Sequence, residues 1–342
     1  MRGILLCLAA ASIGWGQIQW VERALPLPSL MRGATGHPRD PFRAWMWGEG
    51  IFSLNLVKLE VQPLRPGSFA APGCTFQNGL ALIALPDRFS WFEGDDFHSE
   101  APIDSEAEFA DCLDVNLFGR SGILVTHRGM QIRFYQPDKP RWRSREIYSF
   151  YTASYQSGLL VFDVDADNRV DIVSGNYWIR SPAAFHLPWR LFAIHTYFEQ
   201  PQSARMRLAR IRRGGSKSPS LLAVQSEMYP ARLALFDPPG DVRQLWKEHA
   251  LQGELLLDHP RTLAVADFDG DGFEDFLLAE SRGTGRIWWW RQGPSGFFRP
   301  KLIACGEPVL TGWVSDVNGD RRPDIVLAES RRMRWLINQP LQ

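Results

Sequence analysis

Val265-Ala-Asp-Phe-Asp-Gly-Asp-Gly-Phe-Glu-Asp-Phe-Leu277 sets Asp267, Asp269, Asp271 and Asp275 within nine residues, between two short apolar runs. Carboxylates at this density repel one another unless a cation offsets them. The same pattern stands at Val161-Phe-Asp-Val-Asp-Ala-Asp-Asn-Arg-Val-Asp-Ile-Val173 and at Val314-Ser-Asp-Val-Asn-Gly-Asp-Arg-Arg-Pro-Asp-Ile-Val326. The first aspartates, Asp163, Asp267 and Asp316, are separated by 104 and 49 residues, so the longer gap is two periods of about 52. Faded copies fall in phase at Arg212 to Ser220 and at Asp114, where Asn116 is retained and Ile123-Leu124-Val125 follows.

An aromatic strand follows each loop and its apolar run. Examples are Phe89-Ser-Trp91-Phe92, Ile132-Arg-Phe134-Tyr135, Leu233-Ala-Leu235-Phe236, Arg286-Ile-Trp288-Trp-Trp290 and Met333-Arg-Trp335-Leu336. An outer strand comes next, marked by Trp142 and Ile147, Trp189 and Ile194, Trp246 and Leu251, or Phe298 and Ile303. Four strands at a period near 50 define a β-propeller, an all-β ring of four-stranded blades. The last repeat stops at Asn338 without its outer strand, whereas Ile18-Gln-Trp20-Val-Glu-Arg-Ala-Leu25 reads as an outer strand with no repeat of its own. The N-terminal strand is therefore expected to complete the C-terminal blade and close the ring. Counting the degenerate stretch from Pro26 to about Glu60 gives seven blades, with six as the alternative.

The Asp-x-Asp-x-Asp-Gly-x-x-Asp loops between aliphatic strands resemble FG-GAP/VCBS repeats, the units of the integrin α-subunit type of propeller. Ile287-Trp-Trp-Trp-Arg-Gln-Gly293 resembles exported bacterial members of that group. The resemblance extends over essentially the whole chain after the leader. It implies that each loop joins the first two strands of a blade around a structural Ca²⁺, and that the loops at the opposite edge carry the binding function.

Oxygen ligands in this number suit Ca²⁺, a hard cation that takes about 6–8 of them. Up to three ions are expected. The first set is Asp163, Asp165, Asp167 and Asp171 with the Arg169 carbonyl. The second is Asp267, Asp269, Asp271 and Asp275 with the Phe273 carbonyl, and the third is Asp316, Asn318, Asp320 and Asp324 with the Arg322 carbonyl. Gly272 permits the sharp turn, Asn168 tolerates it, and Arg321 stands in its place in the third loop. An EF-hand is excluded: its twelfth position needs Glu, where this chain has Ser174, Leu278 and Leu327.

At the opposite edge, one register holds Thr126, Ser174, Gln225, Glu280 and Glu329. Two residues on stand Asp87, Arg128, Asn176, Glu227, Arg282 and Arg331. From these, Arg128, Asn176, Glu227, Glu280, Arg282, Glu329 and Arg331 are the candidate ligand-binding residues, since planar guanidinium and carboxylate groups recognise hydroxylated or charged ligands by paired hydrogen bonds. Ion pairing between blades is the structural reading of the same residues.

The chain has 342 residues, 38 Lys+Arg and 38 Asp+Glu, so its formal net charge is zero. That balance excludes a nucleic-acid binder that works by a one-sign field. Arg2 precedes an apolar run from Ile4 to Ile13, and small residues stand at Gly14 and Gly16. Residues 1–16 read as a signal peptide cleaved before Gln17, with cleavage after Ala11 as the alternative. Leu6 before Cys7 does not suit a lipid anchor, and no later run is long enough to span a membrane. Residues 17–342 then form one secreted or periplasmic propeller, read as a monomer. An odd set of cysteines (Cys74, Cys112 and Cys305) is not a disulfide framework. There is no Gly-x-Ser-x-Gly, His-Glu-x-x-His or phosphate-binding loop. The expected function is a calcium-stabilised binding or adhesion module for a glycan or extracellular protein, more in keeping with this sequence than catalysis. A carbohydrate-active enzyme with an acidic site near the central opening is the alternative, and a surface assembly protein is a third.

Overall fold

The computed structural model describes residues 18–37, 39–69, 72–76, 79–82, 89–93, 96–100, 109–127, 131–138, 141–150, 157–196, 205–214 and 218–340. Among them are seven antiparallel sheets and no helix. The N-terminal strand β1 (Ile18–Pro26) belongs to the last sheet. The first sheet is β2 (Met31–Gly36), β3 (Arg43–Asn55) and β4 (Glu60–Ser68), and the second is β5 (Gly73–Phe76), β6 (Gly79–Leu82), β7 (Phe89–Glu93) and β8 (Asp96–Glu100). The third is β9 (Phe109–Leu117), β10 (Arg120–His127), β11 (Gln131–Asp138) and β12 (Arg141–Ser149). The fourth is β13 (Leu159–Phe162), β14 (Asp171–Ser174), β15 (Tyr177–Arg180) and β16 (Arg190–Ala193). The fifth is β17 (Met206–Ile211), β18 (Ser220–Gln225), β19 (Leu233–Asp237) and β20 (Lys247–Ala250). The sixth is β21 (Pro260–Ala266), β22 (Asp275–Glu280), β23 (Ile287–Gln292) and β24 (Phe298–Ala304). The seventh is β25 (Val309–Ser315), β26 (Asp324–Glu329), β27 (Arg332–Pro340) and β1.

The first strands touch in sequence, β2 to β5, β9, β13, β17, β21 and β25, and β25 returns to β2. That closed ring is a propeller. Six of its sheets have four strands and the first has three. Only residues 69–72 separate β4 from β5, too short a stretch for an outer strand. Closure occurs as the sequence indicates: β1 pairs antiparallel with β27 from Ile18 opposite Pro340 to Pro26 opposite Arg332.

Large apolar side chains fill the wedges between neighbouring blades. Phe268, Leu277 and Trp289 of the sixth blade pack with Ile325, Leu327 and Leu336 of the seventh. Val173 and Trp178 meet Leu221 and Phe236 between the fourth and fifth. Cys74 and Cys112 are free thiols in one cluster between the second and third blades, and burial pushes the Cys112 thiol up.

The faded copy at Asp114 is not a loop. Asp114 and Asn116 lie inside β9, opposite Ile123 and Ser121, and the connection to β10 is Phe118-Gly119 at φ 53° and 77°. Two successive positive φ values make the tight hairpin turn that follows the twist of its strands. The copy at Arg212 does occupy the link between β17 and β18. Residues 1–16, with the expected signal peptide, and Asp87 and Arg128 lie outside the described residues. No helix among the described residues is long and apolar enough to cross a membrane.

Candidate functional site

The three aspartate loops follow the first strands β13, β21 and β25, all at one rim. Their shape comes from the loop's own carboxylates. Asp267 Oδ1 accepts hydrogen bonds from the N–H groups of Gly270 (2.8 Å) and Asp271 (3.1 Å), and its Oδ2 accepts one from Gly272 N (2.9 Å). Asp316 does the same with Gly319, Asp320 and Arg321, and Asp163 with Asp167 and Asn168. At the fifth position, Asp167, Asp271 and Asp320 each accept the N–H of the residue two further on. Short acidic side chains favour such local turns because they supply acceptors to the backbone.

The ninth-position aspartates hold each loop to its sheet. Asp171, Asp275 and Asp324 accept the main-chain N–H of Ser181 (2.7 Å), Gln292 (2.7 Å) and Asn338 (2.8 Å), at or just past the third strand. The second oxygen takes Val164 N in one loop, Val317 N in another and Trp289 Nε1 in the sixth blade. Burial pushes Asp275 up to about 7 and Asp171 and Asp324 up to about 6, while these donors pull the other way. A buried carboxylate raised in this way lacks a counter-charge.

Two loops offer a place for one. Oxygen atoms of Asp163, Asp165 and Asp171, and of Asp267, Asp269 and Asp275, all lie within 4.8 Å of one another. The Asp269 side chain is 2% exposed, and Asp165 Oδ1 and Asp269 Oδ1 are buried without a hydrogen-bond partner. Clustered oxygens with one orphaned atom in each loop fit a metal ion. Asp167 and Asp271 stand in these two loops, and Asp316, Asn318, Asp320 and Asp324 in the third, at the expected positions. A guanidinium also reaches into both: Arg180 lies 2.6 Å from Asp165 and 3.0 Å from Asp167, and Arg291 pairs with Asp269 and, at 2.9 Å, with Asp271. In the third loop Ile337 occupies the position of these arginines, directly before Asn338.

Residues 267–327, spanning the second and third aspartate loops, match the family model of the FG-GAP-like repeat. The ring is a β-propeller that carries FG-GAP-like repeats in its sixth and seventh blades. No curated protein matches the chain. Arg321 occupies the turn position of the third aspartate loop at φ 68°, the left-handed region where Gly272 sits in the second loop at φ 88°. A Cβ is disfavoured there. Arg321→Gly is therefore expected to raise stability by about 0.5–1 kcal/mol, read as a higher urea midpoint, and a lowered midpoint would refute the assignment of strain.

The first strands run from the opposite rim, where the second strands end. The first register of the polar ring is buried: Thr126, Ser174, Gln225, Glu280 and Glu329 are all below a tenth exposed. Glu280 is held by Arg286 through Nε (2.7 Å) and Nη2 (2.8 Å), and Glu329 by Arg332 and by Arg334 at 2.8 Å. These pairs lie within single blades. Asn176 is buried and its carbonyl accepts Ile194 N, whereas Arg282 and Arg331 are exposed. Glu227 forms a pair across blades, to Arg261 at 2.9 Å.

Proposed function

We propose that the protein is an exported propeller that holds Ca²⁺ in its aspartate loops and binds a glycan or an extracellular protein at the opposite rim. The observation that carries the calcium reading is the pair of oxygen clusters, each with an orphaned buried carboxylate atom. Calcium suits these sites because every donor is a hard oxygen and the loops leave main-chain carbonyls of Arg169 and Phe273 nearby in sequence. The third loop, with Asp316, Asn318, Asp320 and Asp324, is the third candidate. When bound, the ion would supply the counter-charge that Asp171 and Asp275 lack. Arg180 and Arg291 would then yield part of their hold on Asp165, Asp167, Asp269 and Asp271 to it.

FG-GAP repeats commonly mediate protein binding, which supports the module reading. The carboxylates that an enzyme reading relies on, Glu280 and Glu329, are committed to arginines. Binding is therefore preferred over hydrolysis or lyase chemistry, and among the described residues Glu227, Arg282 and Arg331 are the ring residues that remain accessible for it.

Calcium is expected to raise the thermal midpoint and excess EGTA to lower it. Each site filled at hundredfold excess over its Kd adds about 2.7 kcal/mol. An identical melt in both buffers would defeat the calcium assignment. The binding reading is tested by retention on a panel of polysaccharides and extracellular proteins, with the supernatant assayed for new sugar ends. Retention without new ends supports it, and turnover would replace it with the enzyme.

A further inference from the structure

The first strands of six blades, with Ser157 just ahead of the fourth blade's first strand, line a cavity of about 540 Å³ on the propeller axis, at the rim opposite the aspartate loops. Its charged lining is Arg32, Arg205, Arg207 and Arg261 against Asp111 and Glu227. Arg32, Arg207 and Arg261 are each the second residue of a first strand, so the fold itself points them at one axis. Arg207 reaches Asp111 at 2.6 Å, from the fifth blade to the third, and its Nε donates to the Arg261 carbonyl at 2.9 Å. Gly158 N holds the other Asp111 oxygen at 2.6 Å. These bonds fix the Arg207 guanidinium and the Asp111 carboxylate in place before any ligand arrives.

Four groups are left over. Arg32 is exposed and its side chain makes no hydrogen bond or ion pair among the described residues. Thr262 is 2% exposed, yet its Oγ1 has no hydrogen-bond partner, and Arg261 Nε is buried in the same condition. Glu227 engages Arg261 through Oε2, which leaves Oε1 as an acceptor. Buried polar atoms without partners are uncommon in folded proteins and mark where a ligand or water belongs.

We infer that this central cavity binds a small polyhydroxy carboxylate of the sugar-acid class. The surplus of arginines selects an anion, and a planar guanidinium matches a carboxylate by paired donors. The acceptors beside them, Asp111 and Glu227, would repel a bare anion but accept bonds from hydroxyl groups carried on the same ligand. A donor and acceptor surface of this kind suits one sugar ring with an acid group better than a simple ion. The volume lies within the range of small-molecule sites. The inference rests on the reading of the protein as a binding module and is independent of its calcium.

The test is a ligand-observed NMR titration of the full-length mature protein with D-glucuronate, D-glucose and acetate. Glucuronate is expected to bind about tenfold or more tightly than glucose, the scale of a charge-assisted hydrogen bond, and more tightly than acetate. Arg32→Gln is expected to remove the advantage over glucose, and Thr262→Val to weaken glucuronate with no change in the thermal midpoint attributable to calcium. Equal binding of glucose and glucuronate, or a glucuronate affinity indifferent to Arg32→Gln, overturns the inference while leaving a binding module. Acetate binding as tightly as glucuronate reduces the cavity to an anion hole and overturns it too. No binding of any of the three also overturns it, and retention on the polysaccharide and protein panel then decides the module reading separately.

Discussion

A chain lacking residues 18–26 is expected to lose its cooperative melt and to self-associate. Strand β1 occupies the outer edge of the seventh blade, but its side chains reach the wedges on both faces. Ile18, 6% exposed, and Trp20 belong to the wedge against the sixth blade. The Trp20 ring stands edge-on to Phe268 (centroids 5.7 Å) and to Trp289 (6.3 Å). Val21 and Leu25 face the wedge against the first blade, with Met31, Trp335 and Ile337. This division follows from the period of two along a strand.

Each well-buried apolar side chain contributes about 1.5–3 kcal/mol, so four partly buried ones amount to about 5 kcal/mol. That approaches the whole stability of an ordinary domain, about 5–15 kcal/mol. The deletion also strips nine paired residues from β27 and opens its main-chain donors and acceptors to any passing strand. Circular dichroism melts and size-exclusion chromatography should show a broad transition at lower temperature and larger species. A peptide of residues 18–26 added in trans should reverse both, by supplying the missing strand. A truncated chain that stays monomeric and melts at the unaltered midpoint would show that closure is not what holds the ring.

Much of this ring was legible in the sequence, and the reason is repetition. The pattern of Val265 to Leu277 recurs in phase, so the aspartate loops, the aromatic third strands and the N-terminal closure could all be placed by alignment of the chain with itself. Reading went astray where repetition fades. Asp114 and Asn116 keep the residue types of a loop but occupy a strand, since Phe118-Gly119 makes the turn by conformation rather than by acidic side chains. The first blade ends after three strands because the link after β4 is short.

The sites divide in the same way. Loop aspartates are local in sequence, and their spacing alone states the chemistry. The arginines that enter those loops are not. Arg180 and Arg291 come from third strands, and the signal for them was an Arg at the end of an aromatic strand, as in Ile287-Trp-Trp-Trp-Arg291. The register of Glu280 and Glu329 along their strands is readable from the repeat, but their burial depends on Arg286, Arg332 and Arg334, which spacing does not reveal. The axial cavity leaves no local mark in the sequence. Arg32, Arg207 and Arg261 are far apart along the chain and converge only when the ring closes, though their shared place as second residue of a first strand was available to an alignment of blades.

Acidification is expected to destabilise the protein through His195. The ring is 5% exposed and stacks on Phe236 at 4.5 Å with 13° between planes. Burial, with the nearby Arg232 charge adding to it, pushes the imidazole down to about 3. The folded value lies below the ordinary 6.5, so the unfolded chain takes up the proton first as the pH falls. The stability His195 contributes is therefore complete above about pH 6.5 and is lost progressively toward about pH 3, with about 2 kcal/mol gone by about pH 5. Asp171, Asp275 and Asp324 work in the opposite direction: their folded values are raised, so in calcium-free buffer their protonation favours the folded state as the pH falls. The wild-type pH profile mixes both signs, and a variant separates them. His195→Leu cannot take up a proton and keeps the carboxylates. Urea unfolding of the two proteins in EGTA should show the stability gap between them shift by about 2 kcal/mol in favour of the variant from about pH 7.5 to about pH 5. A gap that stays constant over that range would mean that His195 titrates alike in the folded and unfolded chains, and that the wedge beneath Phe236 admits the charged ring.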